Sequence, residues 1–344
     1  MKAVSYSQHG GPEVLELVDL ADPEPGPADV VVEVAATALN RLDLVQRAGY
    51  YTLPGYTLPH VAGMDIAGTV VDVGAAVTGV AVGDRVVVDP SLAGVTGDSK
   101  LAGMGDLHGA LGVLGGTVAG GYAERCLVPA SHVYAVPDDL DLGVAATFPT
   151  IFLTAGHALF AAGGLTAGET VLIHAAGSGV STAAIQLAVD AGATVLATAG
   201  NDAKLDKALH LGATHVLNNR TGDVAAWARE VTDGKGVDMV LDHVGTALWA
   251  PSMFSLGIGG RLVCCGNTSG DTATIPSLGF MFHSGIKIIG SDPYRPDEFG
   301  PLWELFCDRR FASVIDSEFA LADAAEAQRR LDANDVFGKI LLRP

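Results

Sequence analysis

The residues best suited to chemistry lie between Val171 and Lys204, in VLIHAAGSGVSTAAIQLAVDAGATVLATAGNDAK. Thr170 to Ile173 is an apolar β-branched run and Ala175 to Gly179 a turn of small residues. Thr182 to Ala191 has a helical pattern, and Thr194 to Thr198 reads as a second strand. A strand that turns directly into a helix N-terminus gathers backbone N–H groups and the positive end of the helix dipole at one point. A diphosphate binds there without any cationic side chain. The spacing therefore predicts a dinucleotide ligand and hydride transfer as the chemistry, with Gly177, Ser178, Gly179 and Val180 as the diphosphate contacts. Against G-x-G-x-x-G the glycine positions read Ala176, Ser178 and Ser181. The turn alone is thus a weak signal, and its strand-to-helix setting is what sets it apart from a plain connection.

An acid at the end of the second strand would bind the adenosine ribose and repel a 2′-phosphate. Here the tip is Ala199, Gly200 and Asn201, all uncharged, with Asp202 and Lys204 just beyond. Lys204 either meets a 2′-phosphate as a point charge or is a solvated residue in the first turn of the next helix. The tip favours NADPH and leaves NADH open. Asp242 to Gly245 and Cys265 to Asn267 fall at the ends of later strands, where open α/β sheets present their ligand contacts. Val244, Cys265, Gly266 and Asn267 are accordingly expected near the nicotinamide and its ribose.

The elements that must position these residues fall into two patterns. The first 90 residues read as short strands (Val14–Val18, Asp29–Ala38, Ala67–Val73, Arg85–Val88) punctuated by Gly and Pro. Ser91 to Gly121 is a glycine-dense stretch of weak periodicity, long for an unstructured insertion in a compact domain. Strand character returns from Tyr122 to Pro137, and Asp141 to Phe160 reads as helix interrupted near Pro149. From there strands (Thr170–His174, Thr194–Thr198, His215–Leu217, Val237–Asp242, Arg261–Cys265, Lys287–Gly290) alternate with helices such as Asp223–Val231, the pattern of a parallel sheet. A helix over Leu321–Asp332 and a strand over Lys339–Leu342 close the chain and are expected to rejoin the first domain. The fold class is α/β, with a discontinuous β-rich domain (1–151 and 293–344) and a dinucleotide-binding domain with a doubly wound parallel sheet (152–292).

With 344 residues and 49% of them hydrophobic, the chain suits two globular domains and not a disordered one. A formal net charge of −19 disfavours nucleic acid and anionic membrane as partners. Cys126, Cys264, Cys265 and Cys307 form no C-x-x-C motif, which fits a reduced, cytoplasmic protein. No apolar leader opens the chain, and no unbroken apolar run is long enough to span a bilayer. His108 with Asp98 and Asp106 could gather round a cation, although scattered polar residues in a glycine-rich loop are ordinarily just solvated. His174 ends an apolar strand, where a hydrogen-bonded core histidine is the ordinary reading.

The segments LNRLDLVQRAGYY, LPHVAGMDIAGTVVDVG, VGDRVVV, GGYAE, AATFPTIFLTAGHAL, GVDMVLDHVG, GRLVCCG, KIIGSD and FGKILLRP, together with the βαβ unit, run nearly end to end. In combination they resemble the medium-chain dehydrogenase/reductase superfamily, and within it the quinone oxidoreductase-like and zinc-type alcohol dehydrogenase-like branch. The resemblance implies a GroES-like catalytic domain beside a Rossmann domain, an active site in the cleft between them, and a homodimer or homotetramer. It also implies that Thr154, in FLTA, contacts the nicotinamide carboxamide region, and that His60 belongs to a segment lining the cleft.

The departures from the family bear on mechanism. Zinc-dependent members have a cysteine where this chain has Asn40, and a Gly-His-Glu triplet where it has Gly63, Met64 and Asp65. Asn40 and Met64 are poor partners for a tetrahedral N/S metal site. The lobe that carries four cysteines in those enzymes corresponds to Ser91–Gly121, which has none. No zinc is expected, and no other metal. Without a Lewis acid, hydrogen-bond donors must stabilise the charge that develops on the substrate oxygen, which suits quinones and enones that delocalise it.

The resemblance to zinc-free members places Asn40, Asp43 and Tyr51 at that task. A phenol with pKa of about 10 can donate a proton to an enolate and still be neutral at pH 7. The alternative is that Tyr50, Tyr51 and Tyr56 simply wall an apolar substrate pocket. Met64 and Phe280 are also expected to line it, with ordinary core packing the alternative for Phe280. The expected activity is zinc-independent reduction of a quinone, enone or related small carbonyl compound by NADPH. A zinc-free carbonyl reductase or alcohol dehydrogenase, and an NADP(H)-binding protein without turnover, are the alternatives.

Overall fold

The computed structural model describes all residues except 108, 109, 292, 293, 309 and 310, and describes 106, 107, 110 and 111 by their backbone only. The chain divides into two units, Met1–Thr150 with Phe299–Pro344, and Ile151–Glu298. The short turn Pro296–Glu298 stays with the second unit because Glu298 pairs with His157 at 2.9 Å, so the return to the first unit begins at Phe299 and not at 293. Among the described residues no helix is long and apolar enough to cross a membrane.

The second unit is built on six parallel strands in the order His215–Asn218, Thr194–Ala199, Thr170–Ile173, Val237–Asp242, Leu256–Cys264, Lys287–Gly290. The chain starts in the middle of this sheet, winds outward to one edge and then to the other, which is the dinucleotide-binding order. Leu172, Leu196, Val240 and Leu262 are 0–1% exposed and form its core with Met253 and Ala228. Burying such apolar surface supplies most of the stability of a sheet of this kind. Leu256–Cys264 is longer than the expected Arg261–Cys265, because Leu256 pairs with Val237 before a register shift ahead of Met239.

The first unit holds a seven-stranded sheet. Its main path runs Ile315–Ala320, Lys339–Arg343, Asp29–Ala38, Asp65–Val73, Arg85–Val88, Val133–Ala135, and Arg125–Pro129 pairs with Asp29–Ala38 beside it. The last strand pairs Leu341 with Ala38 and Leu342 with Thr37, carrying residues from the far end of the chain to the start of the helix Arg41–Arg47.

The expected interruption near Pro149 is a break between two helices, Leu142–Ala146 and Phe148–Gly156. Asp141 caps the first by accepting from the N–H groups of Gly143 and Val144, and Pro149 sits in the first turn of the second, where its missing N–H costs nothing.

The end of the glycine-dense stretch, at Gly115, Gly120 and Gly121, is closely packed. A Cβ on Gly115 would come 2.5 Å from the Gly63 carbonyl carbon, and one on Gly120 2.2 Å from the Gly63 oxygen. Gly121 N–H donates to that same oxygen at 2.8 Å. Backbone lies directly on backbone there, which only glycine allows. His108 lies outside the described residues.

Candidate functional site

The cofactor turn has the shape its sequence implies. The strand Thr170–Ile173 is followed by Ala175 at φ +49°, and the Ala176 N–H donates to the Thr198 carbonyl at 2.8 Å. Ser178 then starts the helix Gly179–Asp190, and its side chain makes no capping hydrogen bond. First-turn N–H groups that no cap satisfies are what an anionic diphosphate accepts from. Gly177, Ser178, Gly179 and Val180 are therefore together at one helix N-terminus, while Ala176 and Ser181 are buried beneath it.

At the tip of the second strand, Asn201 accepts the Lys204 N–H at 2.9 Å and caps the helix Asp202–His210. Asp202 is engaged by Asn218 Nδ2 at 2.8 Å, which turns that carboxylate toward the neighbouring strand. Sequence reasoning missed Arg220: a Cβ on Gly200 would meet its Nε at 2.9 Å, so the guanidinium lies over the neutral tip. The Asn219 N–H donates to the Ala199 carbonyl, locking that approach. The signal was present, since Arg220 follows the strand that pairs with Thr194–Ala199. Seeing it requires the sheet order. Ala199, Gly200, Asn201, Lys204 and Arg220 form one patch, and Thr154 is half-buried on the helix Phe148–Gly156.

The later strand ends also come together. Asp242 Oδ1 accepts the N–H groups of Val244 (2.8 Å) and Gly245 (2.9 Å), and the Cys265 N–H donates to the Asp242 carbonyl. Gly266 lies against His243, and the N–H of Ser269 reaches the Val244 carbonyl. Val244, Cys265, Gly266 and Asn267 thus share the carboxyl edge of the sheet. Phe280 does not join them. Its ring packs on Phe254 at 5.5 Å and under the Arg229 guanidinium, which donates to the carbonyls of Phe254 and Leu256. That is the amino end of the strand Leu256–Cys264, opposite Cys265, so Phe280 is a packing residue.

In the first unit, Asn40 and Asp43 belong to a closed polar network. Asp43 is three residues into the helix Arg41–Arg47, and its Oδ2 accepts the Asn40 N–H at 2.8 Å, one half of a capping box. The same oxygen accepts from Tyr122 OH, and Oδ1 from the Gly63 N–H. Burial pushes the Asp43 carboxyl up to about 6, against the pull of the Asn40 N–H, the Lys339 charge and the Tyr122 hydroxyl.

Asn40 faces Lys339, a residue no local pattern singles out. The ammonium donates to the Leu39 carbonyl (2.7 Å), Asn40 Oδ1 (2.7 Å) and Asp65 Oδ2 (2.9 Å), so its three protons have three acceptors. Asn40 Nδ2 donates to Asp65 Oδ2 at 3.0 Å, and Asp65 Oδ1 accepts both the N–H and the hydroxyl of Thr150. Lys339 is 3% exposed and Asp65 0%, which makes this a buried, fully hydrogen-bonded ion pair. The side-chain oxygen and amide of Asn40 both point into it.

Tyr50 and Tyr51 lie outside that network, 86% and 52% exposed on the segment that follows the helix. Met64 is half-buried between the buried residues Gly63 and Asp65. His60 is 4% exposed, donates through Nε2 to the Gly115 carbonyl at 2.9 Å and packs on Tyr56 and Tyr6. Burial pushes its pKa down, and its contacts are those of a histidine packed in the core. Among the described residues, no three His, Cys, Asp or Glu side chains are grouped to hold a metal ion.

Residues 26–138 match the alcohol dehydrogenase GroES-like domain, and residues 179–308 the family described as zinc-binding dehydrogenase. The quinone oxidoreductase of Pseudomonas aeruginosa is 32% identical, over 100% of this chain and 99% of its own. A solved NAD-dependent alcohol dehydrogenase superposes with a TM-score of 0.92 at 37% identity, over 100% of both chains. The Escherichia coli quinone oxidoreductase in complex with NADPH superposes with a TM-score of 0.84 at 27% identity, again over 100% of both chains.

Proposed function

Because the chain belongs to the medium-chain dehydrogenase/reductase superfamily, in its quinone oxidoreductase-like branch, we propose that it reduces a quinone, an enone or a related small carbonyl compound with NADPH and without zinc. Its general activity is that of an NAD(P)H-dependent oxidoreductase. The bound nicotinamide supplies the hydride. The chain's own residues bind the diphosphate at Gly177–Val180 and meet the 2′-phosphate with Arg220 and Lys204, beside a tip with no acid to repel it.

The observation that carries the zinc-free reading is the Lys339–Asp65–Asn40 assembly. The zinc implied by the name of one matched family does not fit these residues. The Asp65 oxygens are engaged by an ammonium, an amide and Thr150, and Asn40 is turned to the same ammonium. A zinc ion there would sit beside a lysine charge with no thiolate or imidazole to bind it. Asn40 and Asp43 are then framework residues that hold the helix leading to Tyr50 and Tyr51. The exposed Tyr51 phenol remains as the group to deliver a proton to the reduced substrate. The NADPH complex of the Escherichia coli relative supports the cofactor preference.

A second reading, interconversion of ketones and secondary alcohols, is favoured by the 37% identical NAD-dependent alcohol dehydrogenase. The test is NADPH oxidation measured separately with a quinone, an enone and an aryl ketone, alongside metal analysis of the protein. Turnover of the quinone or enone without bound metal is expected. Turnover of the ketone alone would select the second reading, stoichiometric zinc would overturn the metal-free one, and tight NADPH binding with no acceptor reduced would leave a binding protein.

A further inference from the structure

Ser181 stands where the dinucleotide fingerprint has its third glycine, and the role its contacts give it presupposes the cofactor assignment above. Its side chain is 0% exposed on the first turn of the helix Gly179–Asp190. The hydroxyl lies 2.7 Å from the His174 carbonyl oxygen and 2.8 Å from His243 Nε2. A hydroxyl has one proton and a carbonyl can only accept, so that proton goes to His174. Ser181 Oγ must then accept an N–H from His243 Nε2. One oxygen atom thereby joins the helix below the diphosphate turn to the ends of two adjacent parallel strands, Thr170–Ile173 and Val237–Asp242.

His243 opens the loop whose amides at Val244 and Gly245 are held by Asp242. The other face of Asp242 is braced by a buried relay. Ser252 Oγ donates to Asp242 Oδ2 at 2.7 Å and lies 2.9 Å from His174 Nε2, while His174 Nδ1 is 2.8 Å from Thr198 Oγ1. Sheet order gives these contacts different meanings. Thr194–Ala199, with Arg220 over its tip, lies on the adenosine side of the diphosphate turn, and Val237–Asp242 lies on the redox side. The Ser181–His243 bond runs only toward the redox side.

We propose that Ser181 and His243 form a latch that couples the diphosphate turn to the loop 243–245, making both positioning residues for the nicotinamide half of the cofactor. Without the serine oxygen the Ser181–His243 bond is gone, and the loop relaxes among conformations that receive the nicotinamide less well. The adenosine half, held from the other side, is unaffected.

The test compares full-length wild type with Ser181→Ala, His243→Leu and His243→Gln, titrating NADPH and adenosine 2′,5′-bisphosphate separately and measuring kcat and KM with a quinone. Ser181→Ala and His243→Leu are expected to weaken NADPH about tenfold and lower kcat, with the bisphosphate within about twofold of wild type. His243→Gln keeps an amide donor for Ser181 and is expected to recover NADPH binding to within about threefold. If Ser181→Ala does not fold, the Leu and Gln variants at 243 make the same comparison. NADPH binding unchanged in the alanine or leucine variant would overturn the latch, as would equal weakening of both ligands. A wild type that binds neither ligand would overturn the cofactor assignment itself, and the latch with it.

Discussion

Replacing Lys339 by methionine tests the buried assembly directly. The substitution keeps much of the apolar stem, removes the charge and leaves the Leu39 carbonyl, Asn40 Oδ1 and Asp65 Oδ2 each short of a donor. Asp65 is fully buried, so its carboxylate can find no water in exchange. Removing one partner of a buried ion pair costs about 3–5 kcal/mol, chiefly as the penalty of the charge left behind. The first unit has about 200 residues, and unfolding entropy scales to about 0.4 kcal/mol per degree for that size. Its unfolding transition should fall by about 7–12 °C. Circular dichroism melts report this, with NADPH titration as the control, because the cofactor turn belongs to the other unit. Adding Asp65→Asn should return part of the loss by removing the stranded charge. A melt within about 2 °C of wild type for Lys339→Met, or a double variant less stable than the single one, would refute the reasoning.

The same geometry sets other outcomes. Arg220→Gln should raise KM for NADPH about fivefold and leave KM for NADH unchanged, since an exposed ion pair is worth little more; equal effects on both cofactors would remove Arg220 from the 2′-phosphate. Tyr51→Phe should lower kcat on an enone at least about tenfold at constant KM for NADPH, and an unchanged kcat would make Tyr51 a pocket wall. Burial lowers the His174 pKa to about 4, so the unfolded chain binds the proton more readily between that value and the ordinary 6.5. The second unit should therefore lose stability as pH falls through that window. His174→Gln should flatten this slope, and an equally steep slope in the variant would assign it elsewhere. Asp43 acts with the opposite sign, because its carboxyl is raised to about 6 and the folded first unit binds the proton more readily.

The parts legible in the sequence were those whose cause is local. A β-branched run, a small-residue turn and a helical period over Thr170–Ala191 are neighbours along the chain, and the alternation of strands and helices implies a parallel sheet without giving the order of its strands. Asn40 and Asp43 were visible as a pair, but their spacing has two meanings, a helix start or a catalytic couple. Their buried contacts with Tyr122 and Lys339 join distant parts of the chain and could not be seen in that spacing. Lys339 was illegible because its partner lies 274 positions away. The edge strand Ile315–Ala320 showed no alternation because little of it is buried, and the helix Phe299–Cys307 is hidden by its Gly-Pro start and by aromatic residues that fill the core around Phe148. The end of the glycine-dense stretch read as slack where it is close backbone packing on Gly63.

The late position of Lys339 gives the first unit a history as well as a shape. During synthesis residue 65 leaves the ribosome long before residue 339, and everything in the second unit is made in between. Through that interval Asp65 lacks its counter-ion, and the end of the strand Asp29–Ala38 has one of its two neighbours at Thr37 and Ala38 and lacks the other. The nucleotide-binding unit can finish folding on a nascent chain whose other half is still open. The first unit must wait for Phe299–Pro344, which follows the second unit along the chain. A chain interrupted between residues 298 and 339 therefore holds the whole of the cofactor unit, while its other unit lacks the ammonium that Asp65 needs.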